Sequence, residues 1–481
     1  MMASTLPHKT DYLIIGVLIL ESGPDCTADP RVKDPSAWRS LCGSELDWQL
    51  KTVPQAGLNG REEEQTAGKM LGGSSALNGS AWVPPSQAVQ VTYPALEEGT
   101  PTEPLINAWN EALKDQGYDF TSNILGGPKT IGTRAYTAAT DPDSHSRSST
   151  STYAQEKRSN LRIITGATVR KIPFNPELER SDRPNPRAVA TGVEAELDGQ
   201  IVSISTEKDV ILAAGAFHTP KILELSGVGQ KDRLTELGIP VVMDLPGVGE
   251  NVQNHVWSIS PTPLKVEGVQ PGIKTLAFTH LDKDEQENLI SDDPNDQTSD
   301  RVIKSILRNP DNASACLALS AMPGGVALLV AISSFPFSRG SCHCSSANID
   351  AKPTVDPQFF ANELDIETMA RHVQNLYKLS NAPTFQDILQ PLEVPQLETI
   401  KSTLRGGSAL ATHHSCGTAA MLPREAGGVV NENLRVYGTK NVRVVDASVF
   451  PLIPHANPMS TVYAVAEKAV DMMNEPDVSE Y

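Results

Sequence analysis

The sequence is poor in aromatic and in basic residues. Aromatic side chains make up 5% of the 481 residues, and 40 Lys and Arg stand against 58 Asp and Glu, which gives a formal net charge of -18. Base stacking on single-stranded nucleic acid uses aromatic side chains, and nucleic-acid binding in general uses clustered Lys and Arg. Both shortages argue against a nucleic-acid partner, and we expect none.

Long apolar runs are also missing. No stretch approaches the roughly 20 apolar residues of a membrane-spanning helix. Residues 1–10 are polar and lack the apolar core of a signal peptide. We therefore expect no membrane partner and a cytoplasmic location, with secretion as the alternative.

The six cysteines have no spacing typical of a disulfide framework or of a paired Cys-x-x-Cys zinc site. The run Cys342, His343 and Cys344 could suggest a metal ligand set. In a strand, however, alternation places both sulfur atoms on one face and His343 on the other. We therefore predict no metal.

What the sequence does contain is enough apolar material for two or three domains' worth of core, since 39% of its residues are hydrophobic. Hydrophobic periodicity and turn residues predict the elements. The predicted strands are residues 12–20, 160–172 (a pair broken at Thr165 and Gly166), 193–204 and 209–214. The predicted helices are residues 105–116, 219–227 (with Thr219 as its N-cap), 363–381 and 457–474. Residues 280–312 are acidic and polar, which favours a mobile surface loop.

Two local patterns suit a nucleotide. Glu21 ends an apolar stretch, where a carboxylate can accept hydrogen bonds from both hydroxyls of a ribose. Gly72, Gly73 and Ser74 would let backbone amides approach a pyrophosphate without side-chain obstruction, and Asn78 could add a donor. The plainer interpretations are an exposed loop acid and a flexible turn.

Five segments follow one another along the chain: DYLIIG (residues 11–16), VLILESG (17–23), GKMLGGSSALNG (68–79), GAFHTPKILELSGVG (215–229), and HHSCGTAAM (413–421) with VVDASVFPLIPHANPMSTVYAVAEKA (444–469). In this order they resemble the glucose–methanol–choline (GMC) oxidoreductases, a family of flavin-dependent alcohol oxidases and dehydrogenases. The resemblance covers nearly the whole chain.

The resemblance implies an α/β protein of two domains. Residues 1–83, 155–255 and 408–481 would form a Rossmann-like FAD-binding domain, and residues 84–154 and 256–407 a substrate domain with an antiparallel sheet and helices. It implies FAD as the cofactor. The cofactor-binding residues that it implies are Gly16, Glu21, Gly72, Gly73, Ser74, Asn78, Gly79, Val169, Asp446, Ala447, Pro458 and Met459.

The resemblance also implies a catalytic pair. The family's histidine before a Gly-Thr pair corresponds to His414, and its second position, His or Asn, corresponds to Asn457. His413 and His455 are competitors, because a frame error of one or two residues would exchange the roles. Neutral His414 would take the hydroxyl proton of an alcohol, Asn457 would hold the oxygen, and flavin N5 would receive the hydride. Oxygen or another acceptor would reoxidise the flavin.

The helix that starts after Asn457 presents a tension. Its N-terminus would stabilise the negative charge of a reduced flavin. If the Asn457 side chain caps that helix, however, it cannot also face the substrate. The amino-acid sequence of the C-terminal segments (413–421 and 444–469) is most similar to that of fungal members, which favours aryl or secondary-metabolite alcohols as substrates.

The cofactor loop of the family is shortened here. In relatives a glycine-rich turn and a helix separate the first two strands, and such a crossover takes about a dozen residues or more. Here Val17 follows Gly16 directly. Residues 11–22 therefore cannot form both strands, and we expect one strand in one of the two positions and a severely reduced affinity for FAD. A gene model that lacks an exon and a degenerate protein are alternative explanations.

Two other functions remain open. Hydroxynitrile lyases of the family use such a pocket without net oxidation, so a lyase or cyclase with His414 as general base is one alternative. An inactive homologue that lacks FAD is the other.

Overall fold

The computed structural model describes residues 9–10 (backbone only), 18–80, 103–120, 130–141, 146–147, 161–175 and 187–474. Its strands are β1 (Lys9–Thr10), β2 (Leu18–Glu21), β3 (Leu50–Lys51), β4 (Glu64–Gln65), β5 (Gly132–Ala135), β6 (Arg162–Thr165), β7 (Ala167–Lys171), β8 (Gly192–Leu197), β9 (Gln200–Thr206), β10 (Val210–Leu212), β11 (Val228–Gly229), β12 (Met243–Asp244), β13 (Val256–Pro263), β14 (Gly272–Thr279), β15 (Ala315–Met322), β16 (Val326–Ser333), β17 (Ser341–His343), β18 (Thr354–Asp356), β19 (Ala409–Ala411) and β20 (Val442–Val444). Its α-helices are α1 (Pro30–Lys33), α2 (Trp38–Leu41), α3 (Glu103–Lys114), α4 (Gly215–Leu225), α5 (Lys231–Glu236), α6 (Lys283–Leu289), α7 (Thr298–Arg308), α8 (Glu363–Ser380), α9 (Leu397–Thr403) and α10 (Met459–Asn474).

An antiparallel sheet in the order β19-β13-β16-β15-β14-β5 forms the larger layer. Alternation along its strands gives it two apolar faces. Leu317 and Leu319 of β15 belong to a core with α8, whereas Ala318, Leu328 and Val330 belong to a second cluster on the opposite face. Each large apolar side chain buried in this way contributes about 1.5–3 kcal/mol. One face is thus occupied by helices, and the other is left for a site.

Short parallel ladders form the other part of the molecule. β10 pairs with β20, and β2 pairs with β6, both in parallel. A separate sheet has the order β1-β9-β8-β7. Apolar residues from these strands share one core with α4 and α10. Parallel strands covered by helices are typical of a nucleotide-binding layer. The residue boundaries that the sequence suggests for two domains stay a prediction.

The shortened segment supplies one strand among the described residues. β2 lies beside β6 in the register that pairs Leu18 with Arg162 and Glu21 with Thr165. Residues 11–17, including Gly16, lie outside the described residues. Glu21 therefore stands at the carboxyl end of a strand, where the sequence suggests it.

Residues 160–172 form two strands, as predicted, but the two do not pair with each other. β6 pairs with β2, whereas β7 pairs antiparallel with β8. Gly166 has φ 71° between them, a left-handed conformation that glycine adopts without steric cost. The chain thereby passes from one sheet to the next instead of closing a hairpin.

The helix predicted at residues 219–227 begins earlier than expected. α4 starts at Gly215, so Thr219 is not an N-cap but lies inside the helix. Its hydroxyl donates to the buried Asp446 carboxylate at 2.6 Å, a partner that only the tertiary structure provides. The end of the helix is as predicted, since Gly227 follows it at φ 83°.

The prediction of a mobile loop at residues 280–312 is wrong, because α6 and α7 lie there. Asp282 caps α6 by accepting from the backbone of Asp284 and Glu285. Ile303 and Leu307 of α7 are buried in an apolar cluster. Few but well-spaced apolar residues thus anchor an acidic amphipathic helix. Among the described residues, no helix is both long and apolar enough to cross a bilayer.

Candidate functional site

A cavity of about 1860 Å³ lies between the open sheet face and the parallel strands. It is larger than the roughly 300–1,000 Å³ of ordinary ligand sites. All of the predicted site residues that lie within the described part of the chain line it: Glu21, Gly72, Gly73, Ser74, Asn78, Gly79, Val169, His414, Asp446, Ala447, Asn457, Pro458 and Met459. Gly16 lies outside the described residues. The fold therefore gathers segments from across the sequence on one surface.

His414 and Asn457 meet at the cavity wall. The Asn457 amide nitrogen lies 3.1 Å from His414 Nε2, although the two residues are 43 positions apart. His414 follows β19 and Asn457 precedes α10. The backbone amide of His414 donates to Asn254 Oδ1 at 2.9 Å, which holds its segment in place. Of the two positions open to the Asn457 side chain, capping its helix or facing the site, the amide nitrogen takes the second, because it faces His414.

The electrostatic surroundings keep His414 uncharged. Burial lowers the pKa of its imidazole well below the ordinary value, and the nearby His255 and His413 lower it further. A neutral imidazole retains a lone pair with which it can accept a proton. His414 thus has the protonation state of a general base at neutral pH.

The two competing histidines have other surroundings. His413 lines the cavity, but its Nδ1 accepts from the Thr66 backbone amide at 3.2 Å. His455 packs edge-on against Phe278, with ring centroids 5.4 Å apart, and also contacts Phe335. It is not among the residues that line the cavity. Geometry therefore favours His414 for a role in the cavity.

His255 is a residue that the sequence analysis missed. Its Nδ1 lies 2.9 Å from His414 Nδ1, and its Nε2 lies 3.0 Å from the Ser334 carbonyl oxygen. His255 is buried, and burial lowers its pKa to about 4. It is 159 positions from His414, and no local spacing in the sequence connects the two.

The glycine turn at residues 72–74 forms an open cradle. Gly72 has φ 93° and Gly73 has φ 52°. A Cβ added at Gly73 would meet no atom within 4 Å, so this backbone is bare on that side. The Gly73 amide itself donates to the Met70 carbonyl at 2.8 Å, so a phosphate oxygen would be met by the other backbone amides of this turn. The glycines at this turn serve both the left-handed backbone and close approach of a ligand.

Glu21 also faces the cavity. Its Oε1 accepts from the Gly23 backbone amide at 2.7 Å. Burial raises the pKa of its carboxyl group, and the hydrogen bond from Gly23 offsets part of that rise. Among the described residues only Oε1 has a partner, so Oε2 can accept from a hydroxyl donor.

Two predicted cofactor-binding side chains are occupied within the protein. The Asp446 carboxylate is buried and accepts from Gly215 N, Thr219 Oγ1 and the backbone and hydroxyl of Ser448. Asn78 Oδ1 accepts from Ser80 N at 2.9 Å, and the Asn78 amide nitrogen donates to Met459 Sδ at 3.3 Å. These side chains shape the cavity wall, so any direct contact there would come from neighbouring backbone and from Ala447.

The sheet side of the cavity is apolar. It is formed by residues of β13, β14, β15 and β16 on one face of the sheet: Trp257, Ile259, Leu276, Ala318, Leu328, Val330 and Ile332. Lys274 lies at the same wall, with its Nζ donating to the Pro271 carbonyl at 3.1 Å. Burial lowers the pKa of this lysine. The wall thus suits an apolar ligand.

The run Cys342, His343 and Cys344 lies outside this cavity. Within the described residues, no group of three or more His, Cys, Asp or Glu is arranged to hold a metal ion. The His343 ring is instead held by Glu224 at 2.7 Å and Glu250 at 3.0 Å. This arrangement ties β17 to α4.

Comparison with known proteins identifies the family. Two sequence models described as GMC oxidoreductase match residues 87–257 and residues 336–466. A GMC oxidoreductase family protein of Malassezia sympodialis, Mala s 12, is 30% identical over an alignment that covers 92% of this chain and 85% of the relative. The chain belongs to the GMC oxidoreductase family. The resemblance stated from the sequence is thereby confirmed.

Further relatives of this GMC oxidoreductase include versicolorin B synthase of Aspergillus parasiticus, which is 27% identical over 89% of this chain and 78% of its own length. A fungal aryl-alcohol oxidase structure aligns with a TM-score of 0.79 at 23% identity, covering 97% of this chain and 99% of that one. An FAD-dependent oxidoreductase from Chaetomium thermophilum aligns with a TM-score of 0.81 at 23% identity, covering 95% and 94%. These structures confirm the predicted fold class.

The alignment with Mala s 12 spans 534 positions, more than the 481 residues of this chain. The relative therefore has segments with no counterpart here. A missing crossover after Gly16 is consistent with this difference.

Proposed function

We propose that this GMC oxidoreductase oxidises the CH–OH group of an apolar alcohol with FAD as its cofactor. The observation that carries the proposal is the His414–Asn457 pair, whose facing nitrogen atoms are 3.1 Å apart at the wall of the large cavity. A base and a neutral hydrogen-bond donor side by side are what the removal of a hydroxyl proton requires.

The roles of the two residues follow from their chemistry. His414 Nε2 takes the hydroxyl proton of the alcohol, because the buried imidazole is neutral. The hydroxyl would replace the Asn457 amide at Nε2, and the amide would then donate to the hydroxyl oxygen and stabilise the negative charge that develops on it. Bound FAD would supply the hydride acceptor. Oxygen or a second electron acceptor completes the cycle.

The described residues fit FAD in three places. Glu21 would bind the ribose through its free carboxylate oxygen, since Oε1 already accepts from Gly23. The open backbone at Gly73 would approach the pyrophosphate. The start of α10, beside Pro458 and Met459, would lie near the flavin ring, where a helix N-terminus favours negative charge. Gly16 and the shortened crossover are the reason to expect weak binding.

The substrate class follows from the sheet face. Leu276, Leu328, Val330 and Ile332 line the cavity with aliphatic groups, and in the part of the chain that the structure describes this face carries no carboxylate to pair with a cationic alcohol. Transfer of each methylene from water to such a wall contributes about 0.8 kcal/mol, or about fourfold in affinity. Aryl or long-chain secondary-metabolite alcohols are therefore preferred over sugars or choline.

The first experiment separates cofactor binding from catalysis. The purified protein is titrated with FAD, and the visible spectrum and flavin fluorescence are recorded. A series of primary alcohols of increasing chain length is then assayed with oxygen and with an artificial acceptor. We expect kcat/KM to rise about fourfold per methylene until the wall is filled. A flat or falling series would contradict the apolar substrate class.

Variants then test the residue roles. His414→Gln should lower kcat by about 100-fold or more at unchanged FAD affinity, as expected for loss of a general base. His455→Phe is the matched control, because this histidine packs against Phe278 away from the cavity lining. Equal activity in His414→Gln and wild type would refute the role of His414. A protein that stays colourless at saturating FAD would refute redox activity and support the inactive alternative.

A lyase or cyclase reaction is the second candidate. It is favoured by the relative named versicolorin B synthase and by the shortened cofactor segment. In that case His414 would act as a base without net oxidation. Conversion of an alcohol to a carbonyl with stoichiometric reduction of the acceptor would exclude it, whereas product formation without acceptor reduction would support it.

A further inference from the structure

We propose that His255 is a positioning residue that fixes the tautomer of His414, so that the hydrogen sits on Nδ1 and the lone pair on Nε2 faces the cavity. The proposal deepens the function proposed above and rests on His414 acting as the base. It is carried by a continuous chain of contacts that runs from a backbone carbonyl to Asn457.

The series of hydrogen bonds begins at the Ser334 carbonyl. A carbonyl oxygen only accepts hydrogen bonds, so His255 Nε2, which lies 3.0 Å away, must carry a hydrogen. Ser334 is itself held, because its backbone amide donates to Ser314 O at 3.0 Å and its hydroxyl donates to His455 O at 3.0 Å. The start of the chain is therefore rigid.

The second link is the contact between the two imidazoles. A buried, uncharged His255 with hydrogen on Nε2 has a bare Nδ1, which only accepts. His414 Nδ1 lies 2.9 Å from it and must therefore donate. The two ring planes stand at 86° with centroids 5.2 Å apart, so the rings are perpendicular rather than stacked.

The third link gives the direction of the base. With its hydrogen on Nδ1, neutral His414 has its lone pair on Nε2. The Asn457 amide nitrogen, a donor, lies 3.1 Å from this atom. The two ends of the chain are thus consistent with one arrangement: Asn457 donates to His414, His414 donates to His255, and His255 donates to Ser334.

The segment before β13 contacts both the backbone and the imidazole ring of His414. Asn254 Oδ1 accepts from the His414 backbone at 2.9 Å, and its amide donates to Gln65 and to Ser415. The next residue, His255, contacts the ring. Without this ring contact, a free imidazole can place its hydrogen on either nitrogen, and the form with hydrogen on Nε2 cannot accept a proton toward the cavity.

Two variants of His255 distinguish a hydrogen bond from mere packing. His255→Phe keeps a planar ring but removes the acceptor. His255→Asn places a side-chain oxygen near the position of Nδ1, so it can still accept from His414. We therefore expect the asparagine variant to retain the wild-type tautomer and the phenylalanine variant to lose it.

The readout is long-range proton–nitrogen NMR on protein labelled with 15N-histidine, recorded without added FAD. His414→Gln and His255→Phe assign the two rings. We expect His414 with hydrogen on Nδ1 and His255 with hydrogen on Nε2 in the wild type, and a His414 signal shifted toward the Nε2-protonated form in His255→Phe. In FAD-loaded protein that oxidises alcohols, the same variant should lose about 100-fold in kcat with little change in KM.

The tautomer is measured without FAD, so failure of the inference and failure of the proposed function are distinguishable. A wild-type His414 with its hydrogen on Nε2 would overturn the inference whatever the activity. If His255→Phe does not fold, His414→Gln and His255→Asn assign the two rings, and a wild-type His414 or His255 in the other tautomer still overturns the inference. If His255→Phe folds and retains the Nδ1-protonated tautomer of His414, His255 has only a packing role and the proposal is wrong.

Discussion

Replacing Glu224 by glutamine tests the ion pair between α4 and β17. Glu224 is fully buried and lies 2.7 Å from His343 Nδ1, and its other oxygen accepts from Cys344 N at 2.6 Å. A glutamine has one acceptor oxygen, which the fixed Cys344 amide takes. Its amide group then faces His343 Nδ1, which must give up its hydrogen. The substitution therefore removes a buried charge pair and retains the volume.

The expected loss is about 3 kcal/mol, at the lower end of the roughly 3–5 kcal/mol for breaking a buried pair, because one hydrogen bond is kept. Unfolding entropy of about 2.1 cal/mol/K per residue over 481 residues gives about 1 kcal/mol/K. The melting temperature should thus fall by about 3 °C. Glu250→Gln is the matched control, because Glu250 contacts the same ring at 3.0 Å but its side chain is 52% exposed. An exposed partner contributes about 0–1 kcal/mol.

The effect of Glu224→Gln should also depend on pH. Burial alone would lower the pKa of His343, but hydrogen bonds with Glu224 and Glu250 outweigh it and raise the pKa above the ordinary value. The folded pKa therefore exceeds the unfolded value of about 6.5. The stabilisation is fully present below that unfolded value and is lost as the pH rises through the folded value.

Differential scanning calorimetry of the wild type and both variants at pH 6 and pH 9 measures these effects. We expect the difference between wild type and Glu224→Gln to be larger at pH 6. Equal losses in the two variants, or a difference that grows at pH 9, would refute the reasoning.

Two further predictions concern stability around the cavity. Asp446→Ala leaves the buried donors of Gly215 and Thr219 without their acceptor, so it should cost about 4 kcal/mol and lower the melting temperature by about 4 °C; a loss below 1 °C would contradict the role given to this carboxylate. Gly247→Ala would place a Cβ 2.0 Å from the Gly427 carbonyl oxygen, so it should lower the free energy of unfolding by about 1–3 kcal/mol. Gly406→Ala is the control, because no atom lies within 4 Å of its added Cβ, and its melting temperature should be close to that of the wild type. Equal melting temperatures for the two variants would show that the close approach at Gly247 does not matter.

Much of the local structure could be predicted from the sequence, because its signals are local. The helical periodicity of residues 363–381 corresponds to α8, Glu363–Ser380. Gly227 ends α4 as expected. Gly72 and Gly73 have positive φ angles, a conformation that favours glycine, so the glycines in the sequence indicate the turn. Such positions depend on backbone sterics and on apolar spacing, which a sequence displays directly.

Predictions failed where a distant partner decides the outcome. Thr219 has the composition of an N-cap, but its hydroxyl is bound by Asp446 inside α4. Residues 280–312 have the acidic composition of a loop, yet they contain two helices. Ile303 and Leu307 of this segment pack in an apolar cluster that includes Phe337. In both cases tertiary contacts override local preference.

The sequence by itself determined the family, the fold class and part of the cavity lining, because ordered motifs and hydrophobic periodicity survive in the linear order of the chain. Only the tertiary structure decided which histidine faces Asn457 and which atoms of its ring meet Asn457 and His255. The ring of His255, 159 positions away, lies against His414 Nδ1. A hydrogen bond between rings so distant in sequence arises from packing of the sheet against the C-terminal segment, and no local pattern encodes it.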